Sequence, residues 1–179
     1  MGNRIVIIGA GGHAKVVCDA ILAQNEYVIN GFVDSSLEVG TTVINGYHVI
    51  ANQDEVESLK SQVDFFIVAI GNNKIREKLF SSIKDILKPA TVIHPSAVIG
   101  SDVLIGEGTV ILANSVINAS SKIGENVIVN SRVVIDHDCE IGNNIHLSIG
   151  TMVGSNSTIN DYYLSAIGES INSFSNIGS

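Results

Sequence analysis

The feature that most constrains the fold is a six-residue period that begins at Ile93. An aliphatic residue recurs at every sixth position for twelve successive repeats, as far as Ile159. The next position, Ser165, interrupts the pattern, and Ile171 resumes it in phase. Strict six-residue aliphatic spacing is typical of a parallel β-helix, in which each hexad supplies one short strand and one corner. Residues 91–179 are therefore predicted to form triangular coils of three hexads, with the aliphatic side chains stacked inside.

Two other hexad positions also have restricted composition. The residue directly after the aliphatic one is often Gly or Asn, as at Gly100, Gly106 and Asn118. Because these residues tolerate positive φ, we predict that they form the sharp corners of the coil. The fourth residue after the aliphatic one is mostly small or β-branched, as at Ser115 and Cys139. It is predicted to fill a small inward site, so Cys139 is interpreted as a buried thiol.

Residues 1–90 have a different pattern, in which apolar β-branched runs alternate with helical periodicity. The segment from Arg4 to Ile8 is typical of a buried parallel strand, and apolar residues spaced like one face of a helix follow it. A second strand ends near Asp34, and a third runs from Asp64 to Ile70 before another helix. Strands that alternate with helices predict a small Rossmann-like α/β domain with a parallel sheet.

A glycine loop follows the first strand of this domain. Gly9, Gly11 and Gly12, with His13 after them, stand where a strand meets a helix N-terminus, which favours an anion such as a pyrophosphate. The loop is equally compatible with an ordinary tight turn, since Ala14 replaces the last glycine of the dinucleotide motif. Asp34 occupies the place of a ribose-binding acid, or is a simple turn residue.

Composition excludes several classes of function. The chain has 179 residues with a net charge of −8, and its basic residues are scattered, which argues against nucleic-acid binding. Its apolar runs are shorter than the ~20 residues of a membrane helix, and no secretory segment precedes the first strand. Two lone cysteines, Cys18 and Cys139, suggest a reducing compartment. We therefore expect a cytoplasmic protein without membrane or nucleic-acid partners.

One part of the repeat carries residues that stacking alone does not require. The segment "VVIDHDCEIGNNIHLSIG" places His137 between Asp136 and Asp138, with His146 nine residues later. His137 lies away from the inward aliphatic position, so it is interpreted either as a solvated surface histidine or as a general base. Asp138 orients that base or serves only as a turn residue, whereas Asp136 is interpreted as a solvated corner. His146 is a ligand contact or a packing residue.

These segments together resemble a known enzyme family. The motifs "IIGAGGHAK", "AIGNNKIREKL", "IHPSAVIG" and "VVIDHDCEIGNNIHLSIG" are similar to those of the two-domain NeuD/PglD-type sugar acetyltransferases. The resemblance covers nearly the whole chain. It implies a Rossmann-like nucleotide-sugar-binding domain over 1–90, followed by a left-handed β-helix acetyltransferase domain over 91–179. It also implies a homotrimer with active sites between subunits.

The resemblance implies roles for individual residues. His137 corresponds to the general base and Asp138 to the carboxylate beside it. His146 and Gly154 correspond to positions that bind acetyl-CoA, the acetyl donor, and no metal is implied. The positions implied for the nucleotide-sugar pocket are Gly9, Gly11, Gly12, His13, Asp34, Gly71, Asn72 and Asn73.

The resulting hypothesis is an acetyl-CoA-dependent transfer of acetyl to the amino group of a UDP-linked 4-amino sugar in bacterial surface-glycan biosynthesis. O-acetylation of sialic acid is the alternative reaction. Because "SNIGS" ends within a hexad where family members continue, the β-helix domain is expected to be shortened, which favours a binding-only protein as a further alternative. A zinc lyase is less compatible, since His94, His137 and His146 are not spaced by whole coils. An NAD-dependent oxidoreductase is less compatible because the N-terminal domain is small and a β-helix offers no site for hydride transfer.

Overall fold

The computed structural model describes residues 3–178 and divides the chain into two compact units after Ala90. The first unit is α/β, and the second is built entirely from short parallel strands. No helix found within residues 3–178 has the length and apolar character needed to cross a membrane.

The first unit is a six-stranded sheet with the strand order β3-β4-β2-β1-β5-β6. All neighbouring pairs are parallel except β3 with β4, which form an antiparallel hairpin. The strands are β1 (Asn3–Ile8), β2 (Tyr27–Val33), β3 (Thr42–Ile44), β4 (Tyr47–Ala51), β5 (Phe65–Val68) and β6 (Lys88–Pro89). The helices are α1 (Gly12–Gln24), α2 (Asn73–Ile83) and a 3-10 helix (Gln53–Leu59).

The predicted strand–turn–helix units are present in this first unit, with small differences at their ends. The central strand β1 is flanked on both sides and its residues from Ile5 to Ile8 are fully buried, as an apolar run requires. The sequence did not predict the β3–β4 hairpin or the 3-10 helix. Residues 35–63 have no sustained apolar period, and the strands and the helix found there are short.

The second unit is a left-handed parallel β-helix. The hexads predicted the parallel β-helix, and the family resemblance implied its left hand. Three sheets form its sides, and each residue pairs with the residue eighteen positions later in the chain. Sheet 1 contains β7 (Val92–Ile93), β10 (Val110–Ile111), β13 (Ile128–Val129) and β16 (His146–Leu147). Sheet 2 contains β8 (Val98–Ile99), β11 (Val116–Ile117), β14 (Val134–Ile135), β17 (Met152–Val153) and β19 (Ser170–Ile171). Sheet 3 contains β9 (Leu104–Ile105), β12 (Lys122–Ile123), β15 (Glu140–Ile141), β18 (Thr158–Ile159) and β20 (Asn176–Ile177).

The corners differ from the prediction. Positive φ occurs at every sixth residue from Asp102 to Phe174, three positions after the aliphatic residue rather than one. Positions such as Gly106 and Gly124 require glycine for a different reason. A Cβ on Gly106 would lie 2.5 Å from the backbone of Gly124, one coil further on. Glycine at this position therefore permits close stacking of coils, and the prediction of positive φ there was wrong.

The small residues at the fourth position connect neighbouring coils. Hydroxyls of Thr109, Ser115, Ser121 and Ser157 donate hydrogen bonds to carbonyl oxygens fifteen residues later. Each of these four side chains is buried. A buried hydroxyl needs a partner, and the carbonyl at the corner of the next coil supplies it. These side chains therefore hold one corner against the next, in addition to filling space.

Candidate active site

The first unit contains a cavity of about 470 Å³ beyond the carboxyl ends of β1, β2 and β5. This is the edge of a parallel sheet at which α/β proteins bind ligands. Predicted residues brought together here are Gly9, Gly11, Gly12, His13, Asp34 and Gly71. Ser36, Leu37 and Ile70, which sequence reasoning did not select, also line the cavity.

The glycines of the first loop have different requirements. Gly9 has φ of +102°, and a Cβ there would lie 2.8 Å from Ile70 Cγ1, so the fold requires glycine. Gly11 and Gly12 have no positive φ, and a Cβ on either would meet no atom within 4 Å. Both glycines line the cavity at the N-terminus of α1, where backbone N–H groups favour an anion. Their missing side chains leave room for a ligand.

The Asp34 carboxylate is engaged by the protein itself. Its Oδ2 accepts from the Ala10 amide at 2.9 Å, and its Oδ1 accepts from the Ser36 amide at 2.7 Å and from the Ser36 hydroxyl at 2.5 Å. Burial raises the pKa of Asp34, but the hydrogen bonds from Ser36 and Ala10 outweigh it and the net pKa is lowered. The structure therefore shows Asp34 tethering the glycine loop, while a ribose contact stays a prediction.

The second predicted loop is held by a residue that sequence reasoning missed. Asn72 is the N-cap of α2, with its Oδ1 accepting from the Ile75 amide at 3.0 Å. Buried Arg76 donates to the carbonyls of Ile70 and Gly71 at 3.1 and 3.3 Å and to Asn73 Oδ1 at 2.9 Å. Burial lowers the pKa of the Arg76 guanidinium to about 10, so it stays charged at neutral pH. Gly71 lines the cavity, whereas Asn72 and Asn73 are not among its lining residues.

His137 lies at the corner between sheets 2 and 3 of the β-helix. Its Nδ1 lies 2.7 Å from Asp138 Oδ2, and the two side chains are 53% and 55% exposed. A carboxylate at this distance places the imidazole proton on Nδ1, which leaves the Nε2 lone pair able to accept a proton. The hydrogen bond that His137 donates to the Asp138 carboxylate raises the pKa of His137 above its usual value. This geometry is compatible with a general base, and that role of His137 stays a prediction.

The corner residue Asp138 has a second property. Its φ is +56°, so it also forms the sharp turn of the coil. Aspartate is among the few residues that adopt this conformation readily. The two interpretations of Asp138 as a base-orienting carboxylate and as a turn residue are therefore compatible in one side chain.

Asp136 is more than a solvated corner. Its Oδ1 accepts from Asn118 Nδ2 at 3.0 Å and from the His137 amide at 2.9 Å. The bond from the His137 amide is the main cause of a lowered pKa at Asp136. Asn118 lies exactly one coil before Asp136 in register, and this eighteen-residue spacing is the sequence signal that pairs them.

His146 lies on sheet 1 and pairs with an asparagine. Asn130 Oδ1 accepts from the Ser131 amide at 2.8 Å, which directs its Nδ2 to His146 Nε2 at 3.2 Å. Because Nδ2 can only donate, Nε2 must accept, and a neutral His146 carries its proton on Nδ1. Asn130 is a further polar residue at this position that sequence reasoning missed.

The structure does not bring His137 and His146 together within one chain. Sheet 1 is the side of the triangular coil opposite the corner between sheets 2 and 3. The two histidines are nine residues apart, which is half of an eighteen-residue coil. That half-coil spacing is the sequence signal for their opposite placement. One chain therefore presents the two histidines on different surfaces.

Gly154 and Cys139 have structural roles near the base. A Cβ on Gly154 would lie 2.5 Å from the Ser173 amide, so close coil stacking requires glycine there. The Cys139 thiol is buried and lies 3.3 Å from the Gly154 carbonyl. Burial raises the pKa of Cys139, which disfavours the thiolate.

Within residues 3–178, no cluster of three or more His, Cys, Asp or Glu side chains is arranged to hold a metal ion.

Comparison with known proteins places this geometry in a family. Residues 4–83 match the PglD N-terminal domain. The structure superimposes on a complex of perosamine N-acetyltransferase from Caulobacter crescentus with CoA and GDP-perosamine, with a TM-score of 0.78 and 33% identity, covering 100% of this chain and 87% of that one. The chain belongs to the PglD-type sugar acetyltransferases.

Two further relatives support the same family. The acetyltransferase domain of PglB from Neisseria gonorrhoeae FA1090, solved with acetyl coenzyme A, has a TM-score of 0.74 and 32% identity, covering 97% of this chain and 86% of that one. UDP-N-acetylbacillosamine N-acetyltransferase from Bacillus subtilis (strain 168) is 35% identical over 113 residues, or 60% of this chain. That match spans half the length of the Bacillus protein. PglD-type relatives thus include complexes with CoA, acetyl-CoA and a nucleotide sugar.

Proposed function

We propose that this protein is an acetyl-CoA-dependent N-acetyltransferase whose acceptor is the amino group of a nucleotide-linked sugar. The observation that carries the proposal is the His137–Asp138 pair at 2.7 Å on an exposed corner of the β-helix. This chain covers 87% of the perosamine N-acetyltransferase, which was solved in complex with CoA and GDP-perosamine. Acetyl transfer to an amine needs a general base of this kind and no metal.

In the proposed reaction, His137 Nε2 removes a proton from the acceptor amine as its nitrogen attacks the thioester carbonyl carbon. Asp138 keeps the proton on Nδ1 and stabilises the imidazolium that forms. The tetrahedral intermediate then collapses, the carbon–sulfur bond breaks, and the imidazolium returns the proton to the coenzyme A thiolate. The products are an N-acetyl sugar and free coenzyme A.

The first unit supplies the proposed acceptor site. Its cavity lies at a helix N-terminus and is lined by Gly11 and Gly12, at which the protein's own atoms would leave room for a side chain. Asp34 holds the glycine loop in place. These features suit the diphosphate of a nucleotide sugar, which backbone N–H groups can hold without a basic patch. We propose UDP as the nucleotide, as in the Bacillus relative, and GDP is the alternative because the Caulobacter relative was solved with GDP-perosamine.

We propose a homotrimer because one chain does not assemble both histidines. Sheet 2 ends at the His137 corner and presents a column of outward apolar side chains, with Val98, Val134 and Met152 being 58%, 36% and 48% exposed. An apolar face of this kind favours a protein partner. Packing of sheet 2 against a second copy would bring the partner's sheet 1, and with it a His146, beside His137. His146 and Gly154 are proposed acetyl-CoA contacts in that cleft.

Two alternatives are weaker. O-acetylation of sialic acid would use the same base, but the two relatives whose acceptors are named act on amino sugars. A binding-only protein would retain the cavity and lack turnover, whereas the intact His137–Asp138 pair favours an enzyme.

We also propose a cytoplasmic location, which two buried free thiols support.

The test is release of free coenzyme A thiol from acetyl-CoA, measured with UDP- and GDP-linked amino sugars and with free sialic acids. We expect release with one nucleotide-linked amino sugar and a loss of about 100-fold or more in His137→Ala. His94→Ala, which changes a half-buried histidine elsewhere in the β-helix, is the control. Release with sialic acid alone would establish the alternative, and no release from a folded protein that binds UDP would establish the binding-only protein.

A further inference from the structure

The corner that carries the base is fastened to the preceding coil by a buried serine. Ser121 Oγ donates to the Asp136 carbonyl at 2.7 Å and accepts from the Cys139 amide at 3.1 Å. These two partners are the residues on either side of the His137–Asp138 pair. A single hydroxyl therefore holds both ends of the four-residue corner.

Two other contacts join the same coils. The Asp138 amide donates to the Ala119 carbonyl at 3.1 Å, and Asn118 Nδ2 donates to Asp136 Oδ1 at 3.0 Å. In the preceding coil, the Ala119 carbonyl that accepts and the Asn118 side-chain amide that donates both lie within residues 118–121. The His137 and Asp138 side chains are themselves half exposed, so packing around the imidazole and the carboxylate does not fix them. Their position depends on the backbone of the corner beneath them.

We propose that Ser121 is a positioning residue for the catalytic corner, and that its hydroxyl sets the His137–Asp138 geometry without contacting either side chain. This inference rests on the proposed function for its catalytic consequence only. Loss of the hydroxyl would leave the Asp136 carbonyl and the Cys139 amide without this partner, and the corner would relax. A small displacement of a base is costly in rate, because proton transfer requires hydrogen-bond geometry.

The chain contains a matched control for this effect. Ser157 lies two coils further along the same column of corners and is also buried. Its hydroxyl donates to the Asn172 carbonyl at 3.1 Å and accepts from the Ser175 amide at 3.2 Å, which is the same pair of bonds. The corner that it holds carries no histidine. Thr109 makes the same two bonds at another corner, so threonine is compatible with the geometry. Ser121→Thr is therefore the conservative variant.

The experiment compares wild type with Ser121→Ala, Ser157→Ala and Ser121→Thr by two measurements. The first is the titration of the His137 ring by NMR, which does not require turnover. Asp136 and Asp138 are the charged groups that act on this ring, and residues 118–121 and 154–157 of the neighbouring corners have no titratable side chain. We expect the His137 pKa to fall towards its usual value in Ser121→Ala and to stay at the wild-type value in the other two variants.

The second measurement is steady-state turnover. We expect Ser121→Ala to lower kcat by about tenfold to a hundredfold with unchanged KM for both substrates, and Ser121→Thr to restore it. Ser121→Ala and Ser157→Ala should lower the melting temperature to a similar extent. If Ser157→Ala reduced kcat equally, or if Ser121→Ala left the His137 titration unchanged, the proposal would be wrong. If wild type gave no turnover, the proposed function would fail, and the NMR titration would still decide the role of Ser121.

Discussion

At the scale of single residues, His137 and Asp138 form an unusual pair because the two contacting side chains are adjacent in sequence. Neighbouring side chains on an extended strand point to opposite faces. Here Asp138 has positive φ, and the turn at this residue directs its carboxylate back to His137 Nδ1. The corner geometry of the β-helix therefore makes the contact possible. This explains how an acid directly after the histidine can contact the imidazole ring in this fold.

Substitution of Asp138 tests this pair through the pH dependence of the rate. The Asp138 hydrogen bond raises the pKa of His137. Since the base must be unprotonated, kcat/KM falls as pH drops below that pKa. In Asp138→Asn the His137 pKa moves down, so we expect the acidic limb of the kcat/KM profile to shift to lower pH. The plateau should fall about tenfold or more, because the imidazolium loses its carboxylate.

The control for this measurement is Glu140→Gln, which removes a carboxylate two residues further on. Glu140 forms a surface ion pair with Lys122, whereas the charges that shift the pKa of His137 are those of Asp136 and Asp138. Its profile should match that of wild type. An unchanged acidic limb in Asp138→Asn would show that the carboxylate does not act on the base.

At the scale of elements, the glycine loop before α1 combines two kinds of glycine in four residues. Gly9 is required by the fold, because of its φ and its contact with Ile70. Gly11 and Gly12 are compatible with other residues as far as the protein's own atoms are concerned. A glycine that the fold does not require, at a cavity edge, indicates close approach of something else.

Gly11→Val tests whether the cavity at this loop receives the acceptor. Gly11 has extended backbone angles that valine adopts without strain, so we expect a melting temperature close to that of wild type. The new side chain would project into the cavity, and the KM for the nucleotide sugar should rise about tenfold or more, with the KM for acetyl-CoA unchanged. Calorimetric titration with UDP and GDP would measure binding directly. Wild-type nucleotide affinity in Gly11→Val would place the acceptor elsewhere.

The β-helix shows how far pattern alone could predict an element. Aliphatic residues at Ile111, Ile117 and Ile123 are all buried in its core, as the hexads indicated. The reason assigned to glycine at Gly106 was wrong, because composition does not distinguish a residue that needs positive φ from one that needs space. Contacts such as Ser121 to Asp136 were not predictable, since they depend on which hydroxyl faces which carbonyl across coils.

At the scale of the whole molecule, the placement of the two histidines supports an active site shared between subunits of the proposed trimer. His137 and His146 lie on opposite sides of the coil in one chain. If the active site forms between subunits, each site takes one histidine from each of two chains. A mixture of His137→Ala and His146→Ala subunits should therefore contain some intact sites.

Subunit mixing tests this arrangement. Each variant alone should lose about 100-fold or more in turnover if both histidines act in the reaction. After the two are unfolded and refolded together, activity should rise well above that of either variant refolded alone. No recovery in the mixture would show that an active site does not combine His137 of one subunit with His146 of another. Wild-type turnover in His146→Ala alone would show that His146 has only a packing role. Light scattering would establish the number of subunits in each sample.

The sequence by itself determined the β-helix, the α/β unit before it, the glycine loop and the candidate base. These features depend on local periodicity and on residue types that favour one backbone conformation, and both can be read along the chain. The tertiary structure decided how Asp34 and Arg76 are engaged, which coil holds the His137 corner, and that His146 lies on the opposite side. Those contacts join residues separated by a loop or by a full coil, and their distances and directions arise only when the coils and strands are packed.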